Sequence, residues 1–153
     1  MTKADLLPRI IEILEEQHAV MLHALKESRE NASGDETKSE GKYDTRATEA
    51  AYLAGAQQEQ ADKLEEGLHS LRSFIFPTFE LTAEISLGAL VETDLDGETE
   101  FFLLSPAGGG TTLDYLGCEL TLLSPDAPLF QRLVGRKPGD MLEDPPLLLL
   151  GVE

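Results

Sequence analysis

Leu7, Ile11, Leu14, His18, Met21, Leu25 and Ser28 recur at alternating intervals of four and three, which places them on one face of a helix. Glu12, Glu15, Glu16, Glu27 and Arg29 fall off that stripe, so this segment reads as an amphipathic helix ending near Glu30. Asp5 suits the role of its cap, and Pro8 is tolerated in a first turn, where a missing N–H costs little. A second stripe of the same spacing runs through Ala47, Ala50, Ala54, Gln57, Ala61, Leu64, Leu68, Leu71 and Ile75. It predicts a helix of roughly 45 Å at 1.5 Å per residue. Gly55 and Gly67 each weaken that helix by about 1 kcal/mol relative to Ala. Each stripe needs a partner, and together they read as an antiparallel coiled-coil hairpin, slender where Ala predominates and bulkier toward Leu71 and Ile75.

The pattern changes at Phe76-Pro77-Thr78-Phe79, where Pro77 stops the helical period. The expected domains are therefore 1–76 and 80–153. Beyond the break, 83–87 and 89–95 read as strands, and Asp96-Gly97 is a two-residue hairpin signal leading into a strand over 98–105. Pro106 ends that strand, 107–110 form a turn, and 119–123 form another strand. Pro128 opens a short helix through Leu129, Phe130, Leu133 and Val134, with Gly135 as its stop. Pro138-Gly139 makes a turn and 147–152 a final buried strand. This half reads as a small antiparallel sheet with one helix on it, giving an α+β chain.

Composition narrows the function. The 153 residues carry 29 acidic and 12 basic side chains, a formal net charge of −17. Free DNA and anionic membrane surfaces repel such a chain, so autonomous DNA binding and membrane binding are not expected, whereas a basic partner or a cation is compatible. The single cysteine, Cys118, excludes an internal disulfide and a cysteine-rich zinc site. The N-terminus has no basic-then-apolar leader pattern, and no apolar run approaches the roughly 20 residues of a membrane span, which makes the cytoplasm the expected location. His18, on the apolar stripe, reads as a packed or flanking residue, and His23 and His69 stand at no metal-ligand spacing from it.

The candidate chemistry lies between the helices. Asn31 to Thr45 is a polar stretch holding Asp35, Glu36, Glu40 and Asp44. Carboxylates gathered at the end of a hairpin can hold Mg²⁺ through hard oxygen ligands. The same run also suits a solvated turn.

Several words of the sequence resemble the bacterial GreA/GreB transcript-cleavage factors. In the second half these are Ile85-Ser-Leu-Gly88, Leu103 to Pro106, Ser124-Pro125 and Gly135-Arg-Lys-Pro-Gly-Asp140, the last similar to the family's G-(K/R)-K-x-G-D turn. In the first half, Gly34-Asp35 and Ser39-Glu40-Gly41-Lys42-Tyr43 look like the family's tip, G-D-x-x-E-N-A-E-Y. Asp35 stands further upstream than in that pattern, and Gly41 replaces its Asn. The resemblance implies a coiled-coil hairpin followed by an FKBP-like domain that docks on RNA polymerase, with the hairpin in the secondary channel. There Asp35, Glu36 and Glu40, with Asp44 in reserve, are the expected carboxylates for a Mg²⁺ shared with the polymerase and not held stably alone. The polymerase, not this chain, then hydrolyses the 3′ end of a backtracked transcript. Tyr43 is expected to brace the tip, and Arg136 and Lys137 to meet the polymerase or simply face water. The protein is expected to be a monomer that meets RNA only within that complex.

Three other readings stand beside this one. A relative of the same architecture can occupy the channel as a modulator or inhibitor without promoting cleavage, and the displaced Asp35 suits that role. A prolyl isomerase is suggested by the FKBP-like shape alone, against the absence of Trp and a single Tyr, Tyr115, in the second half. A structural adaptor could use the coiled coil to bind a partner helix or to dimerise.

Overall fold

The structure, a computed structural model, describes residues 1–32 and 43–153. Its order is α1 (Lys3–Ala32), α2 (Tyr43–Ser73), β1 (Leu90–Leu95), β2 (Glu98–Leu104), β3 (Thr112–Tyr115), β4 (Cys118–Leu123), α3 (Pro128–Leu133), β5 (Met141–Leu142) and β6 (Leu147–Val152). It is an α+β chain with a long helix pair, a six-stranded sheet and one short helix. The backbone forms two compact units, Glu12–Glu66 and the combination of Met1–Ile11 with Gly67–Glu153. Both boundaries fall inside the long helices.

Within Glu12–Glu66 the expected stripe is the inward one. Leu14, Leu25 and Ala61 are buried, and His18, Met21, Ser28, Ala54, Gln57 and Leu64 are half-buried. Arg29 Nη2 donates to Gln58 Oε1 at 2.7 Å, and Gln58 Nε2 donates to Asp62 Oδ1 at 2.8 Å. A contact between residues 29 and 58, in helices joined by a short connector, requires the two to run antiparallel. The helix start departs from expectation, because Thr2 rather than Asp5 precedes the first helical residue. The Thr2 N–H and hydroxyl both donate to Asp5 Oδ2 at 2.8 Å, and Asp5 N–H donates to the Thr2 carbonyl at 3.0 Å. Thr2 and Asp5 thus close the helix entry together, and Pro8 lies inside the helix rather than in its first turn. Ile75 also departs, since α2 ends at Ser73 and Ile75 is 88% exposed.

The sheet has the order β3-β4-β2-β1-β6-β5. All its pairs are antiparallel except β2 with β4, which run parallel with Phe101 opposite Leu120 and Leu104 opposite Leu123. The β1–β2 turn is the expected Asp96-Gly97, with φ of 53° and 88°. Both central residues at positive φ match the twist of the flanking strands. The β3–β4 turn uses the same geometry at Leu116 and Gly117, φ 55° and 80°. Leu is a poor advertisement for positive φ, which is why β3 is not legible in the sequence.

The strand expected over 83–87 does not form. Only Ile85 exchanges backbone hydrogen bonds with the chain beside it, donating to the Arg136 carbonyl and accepting from Gly135 N–H, both at 2.8 Å. Gly88, at φ 93°, then turns the backbone so that its N–H reaches the Leu104 carbonyl at 2.7 Å. A Cβ on Gly88 would stand 2.5 Å from Pro77 Cδ, so the turn is built around the absence of a side chain.

Alternation along the strands sends side chains to two faces. One face carries Val91, Phe102, Leu104, Leu123, Leu147, Leu149 and Val152, packed with Phe130 and Leu133 of α3 and with Ile85. The other carries Leu90, Phe101, Leu103, Tyr115, Leu120 and Leu122, none more than 8% exposed. Phe101 and Tyr115 meet edge to face there at 4.9 Å. Leu6, Ile10, Leu68 and Leu71 from the helical segments of this unit are equally buried, and Leu6 and Leu7 share a cavity wall with Leu103. The sheet is therefore covered on both sides.

Leu120→Ala, at a fully buried position on the helix-covered face, is expected to lower the unfolding free energy in urea by about 2–5 kcal/mol. Leu81→Ala, at a site 82% exposed, should stay within about 0.5 kcal/mol. Gly88→Ala is expected to destabilise by about 1 kcal/mol or more, because it combines a positive φ with a clash against the Pro77 ring.

Candidate functional site

The expected site residues lie on two stretches of the chain, one around residues 35–44 and one at 136–137. Asp35, Glu36 and Glu40 lie outside the described residues. The connector is shorter than the 31–45 stretch read from composition, since α1 continues to Ala32 and α2 begins at Tyr43. Tyr43 and Asp44 therefore fall on the first turn of α2 rather than in a loop. Among the described residues, no group of three or more His, Cys, Asp or Glu side chains is arranged to hold a metal ion.

Arg136 and Lys137 stand on the second stretch, the turn that follows α3. Gly135 and Gly139 both take positive φ, 84° and 95°. Asp140 Oδ2 accepts the Lys137 N–H at 3.0 Å, and Asp140 N–H donates back to the Lys137 carbonyl at 3.1 Å. The turn is tied to its neighbours through the Arg136 carbonyl to Ile85, and through Gly139 N–H to the Leu149 carbonyl at 2.7 Å. Its backbone is fixed at both ends, while the Arg136 and Lys137 side chains are exposed.

A further feature escaped sequence reasoning. In the unit formed by Met1–Ile11 and Gly67–Glu153, a cavity of about 480 Å³ is lined by Lys3, Leu6, Leu7, Phe74, Phe76, Leu103 and Glu153, among others. Lys3 Nζ donates to the Pro77 carbonyl at 2.8 Å and to the Glu153 backbone oxygen, and it lies 4.9 Å from the centre of the Phe79 ring. Burial pushes its pKa down to about 8, with the Glu153 charge acting in the opposite sense. Tyr115 is raised above its usual value by burial and then by the charges of Glu153 and Asp5. One signal in the sequence pointed here: Lys3 stands four residues before Leu7, on the extension of the apolar stripe.

No protein-family model matches the chain, and no curated protein matches it. Among solved structures, the crystal structure of GreA factor homolog 1 (Gfh1) protein of Thermus thermophilus is similar over 94% of this chain and 94% of its own. The identity is 19% and the TM-score 0.37. No helix among the described residues is long and apolar enough to cross a membrane.

The Lys3 shift has a definite sign. The folded protein binds fewer protons than the unfolded chain between about pH 8 and 10.5, so this group's contribution raises stability as pH rises through that window. Unfolding free energies of wild type and Lys3→Met, measured in urea at both ends of the window, are expected to shift in favour of wild type as pH increases. A constant difference would contradict the burial of the charged amine.

Proposed function

We propose that this chain is an accessory factor of RNA polymerase of the GreA/GreB kind. Its helix pair enters the secondary channel, and its connector carboxylates support cleavage of backtracked RNA by the polymerase. The observation that carries this reading is the hairpin itself. Within Glu12–Glu66 the two helices pack antiparallel through a partly Ala-lined seam, and residues 33–42, which join them, hold Asp35, Glu36 and Glu40. Each helix spans roughly 45 Å at 1.5 Å per residue. That is a reach suited to carrying carboxylates into another protein's catalytic centre.

The resembling words of the sequence support the same reading, because the Gly135–Asp140 turn is an ordered surface feature with Arg136 and Lys137 outward. In this reading Glu36 and Glu40, with Asp35 and with Asp44 on the first turn of α2, supply oxygen ligands toward a Mg²⁺ whose other ligands belong to the polymerase. Phosphodiester hydrolysis with two metals needs such ligands on both ions. The chain is not the nuclease. It acts as a monomer, and the transcript 3′ end is met only inside the complex. The net charge of −17 is consistent with a factor that avoids free nucleic acid.

The upstream position of Asp35 and the presence of Gly41 where the family has Asn favour a second reading, a channel-binding modulator that does not stimulate cleavage. The decisive measurement starts from co-purification with core RNA polymerase. Stalled, backtracked complexes are then assayed for RNA shortening across a Mg²⁺ titration. The first reading expects shortening that falls about tenfold or more in the Glu36→Ala, Glu40→Ala double variant, with polymerase binding retained. Retained binding without shortening by the wild-type chain selects the modulator. Loss of polymerase binding altogether rejects both.

A further inference from the structure

We propose that Lys3 is an acylation site, whose ε-amine in the cavity wall takes small acyl groups from acyl phosphates or acyl thioesters in preference to the exposed lysines of the described chain. The site is a recess of about 480 Å³ with apolar walls from Leu6, Leu7, Phe76 and Leu103, and Lys3 lines it together with Pro77 and Glu153, whose oxygens its amine bonds. Two of its N–H groups are spent on the Pro77 carbonyl and the Glu153 backbone oxygen. Loss of the third proton leaves the lone pair as the one position not occupied by those bonds. Lys26, Lys63 and Lys137, by contrast, are exposed on helices or on a turn.

Burial holds the Lys3 amine at a pKa of about 8, so a substantial fraction is neutral at mildly alkaline pH, where an ordinary lysine is almost wholly protonated. The neutral amine attacks the acyl carbon, the new C–N bond forms and the C–O or C–S bond breaks. The leaving phosphate or thiolate departs with the electron pair, and the surplus amine proton passes to solvent. The product is a neutral amide with one N–H. It keeps at most one of the two backbone hydrogen bonds and loses the cation held beside Phe79. Acylation therefore loosens the ties between the start of α1, the segment after α2 and the end of β6.

The test uses the intact chain at about pH 8, with acetyl phosphate in one arm and acetyl-coenzyme A in the other. Peptide-resolved mass spectrometry follows the occupancy of Lys3, Lys26, Lys63 and Lys137 with time, and fragment ions separate Lys3 from the Met1 amine. The expected result is acetylation of Lys3 at least about tenfold faster than of each exposed lysine in one or both arms, the responsive arm identifying the donor. In denaturing urea the preference should vanish. Acetylation of Lys3 less than about tenfold faster than of the exposed lysines in both arms, or a preference that survives in urea, would overturn the proposal.

Discussion

A sheet that is apolar on both faces cannot stand in water with only one of them covered. Leu90, Leu103, Leu120 and Leu122 project from the face opposite α3, and each is at most 3% exposed. Leaving such side chains wet costs about 1.5–3 kcal/mol apiece, so the four together rival the net stability of an ordinary domain. The helical segments Met1–Ile11 and Gly67–Ser73 belong to the same compact unit as the sheet, with Leu6, Ile10, Leu68 and Leu71 buried in it. The ends of the two long helices are thereby committed to the sheet, and the remaining turns are free to form a stem of another character.

That stem has modest means of its own. Along Glu12–Glu66 the described seam relies on Leu14, Leu25 and Ala61, with His18, Met21 and Gln57 half-buried between them. Gln57 Oε1 is buried without a hydrogen-bond partner among the described residues, a small local cost. Small and polar side chains in a two-helix seam exchange packing energy for slenderness. The link from Arg29 to Gln58 ties the two helices where apolar contact is thin, and Asp62, one turn further along α2, accepts from the same Gln58 side chain.

Cations are scarce in this chain, and their placement divides by environment. Arg136 and Lys137 are presented outward on a turn whose backbone is tied at both ends. Lys3 is drawn inward, its amine bonded to two backbone oxygens and set beside an aromatic ring. Arg132 has a third role, since its guanidinium donates to the carbonyls of Glu143 and Asp144 and holds the loop before β6 against α3. Side chains of one class thus stand in three settings, exposed on a turn, beside a cavity and bonded to loop carbonyls.

The helix pair, the Asp96-Gly97 hairpin, α3 and the last strand were legible because each depends on a local rule. A 3.5-residue period, a turn pair suited to positive φ and Pro at the first helical position act within a few residues of themselves. The acidic stretch between the helices was likewise plain in the order of residues, though its ends were not, because helix termini extend as far as local hydrogen bonds permit. Other features depended on distant contacts. Ile85 was denied a strand because Gly88 turns the chain under Pro77, β3 formed across a Leu116 turn because β4 was there to pair with it, and β2 met β4 in parallel. Leu6 and Ile10 lay off the stripe yet became core because a sheet face needed them, and Lys3 acquired its recess for the same reason. Periodicity along the chain determined what each segment could become, while burial, which is a property of neighbours far apart in sequence, decided which face each segment hid and which amine it enclosed.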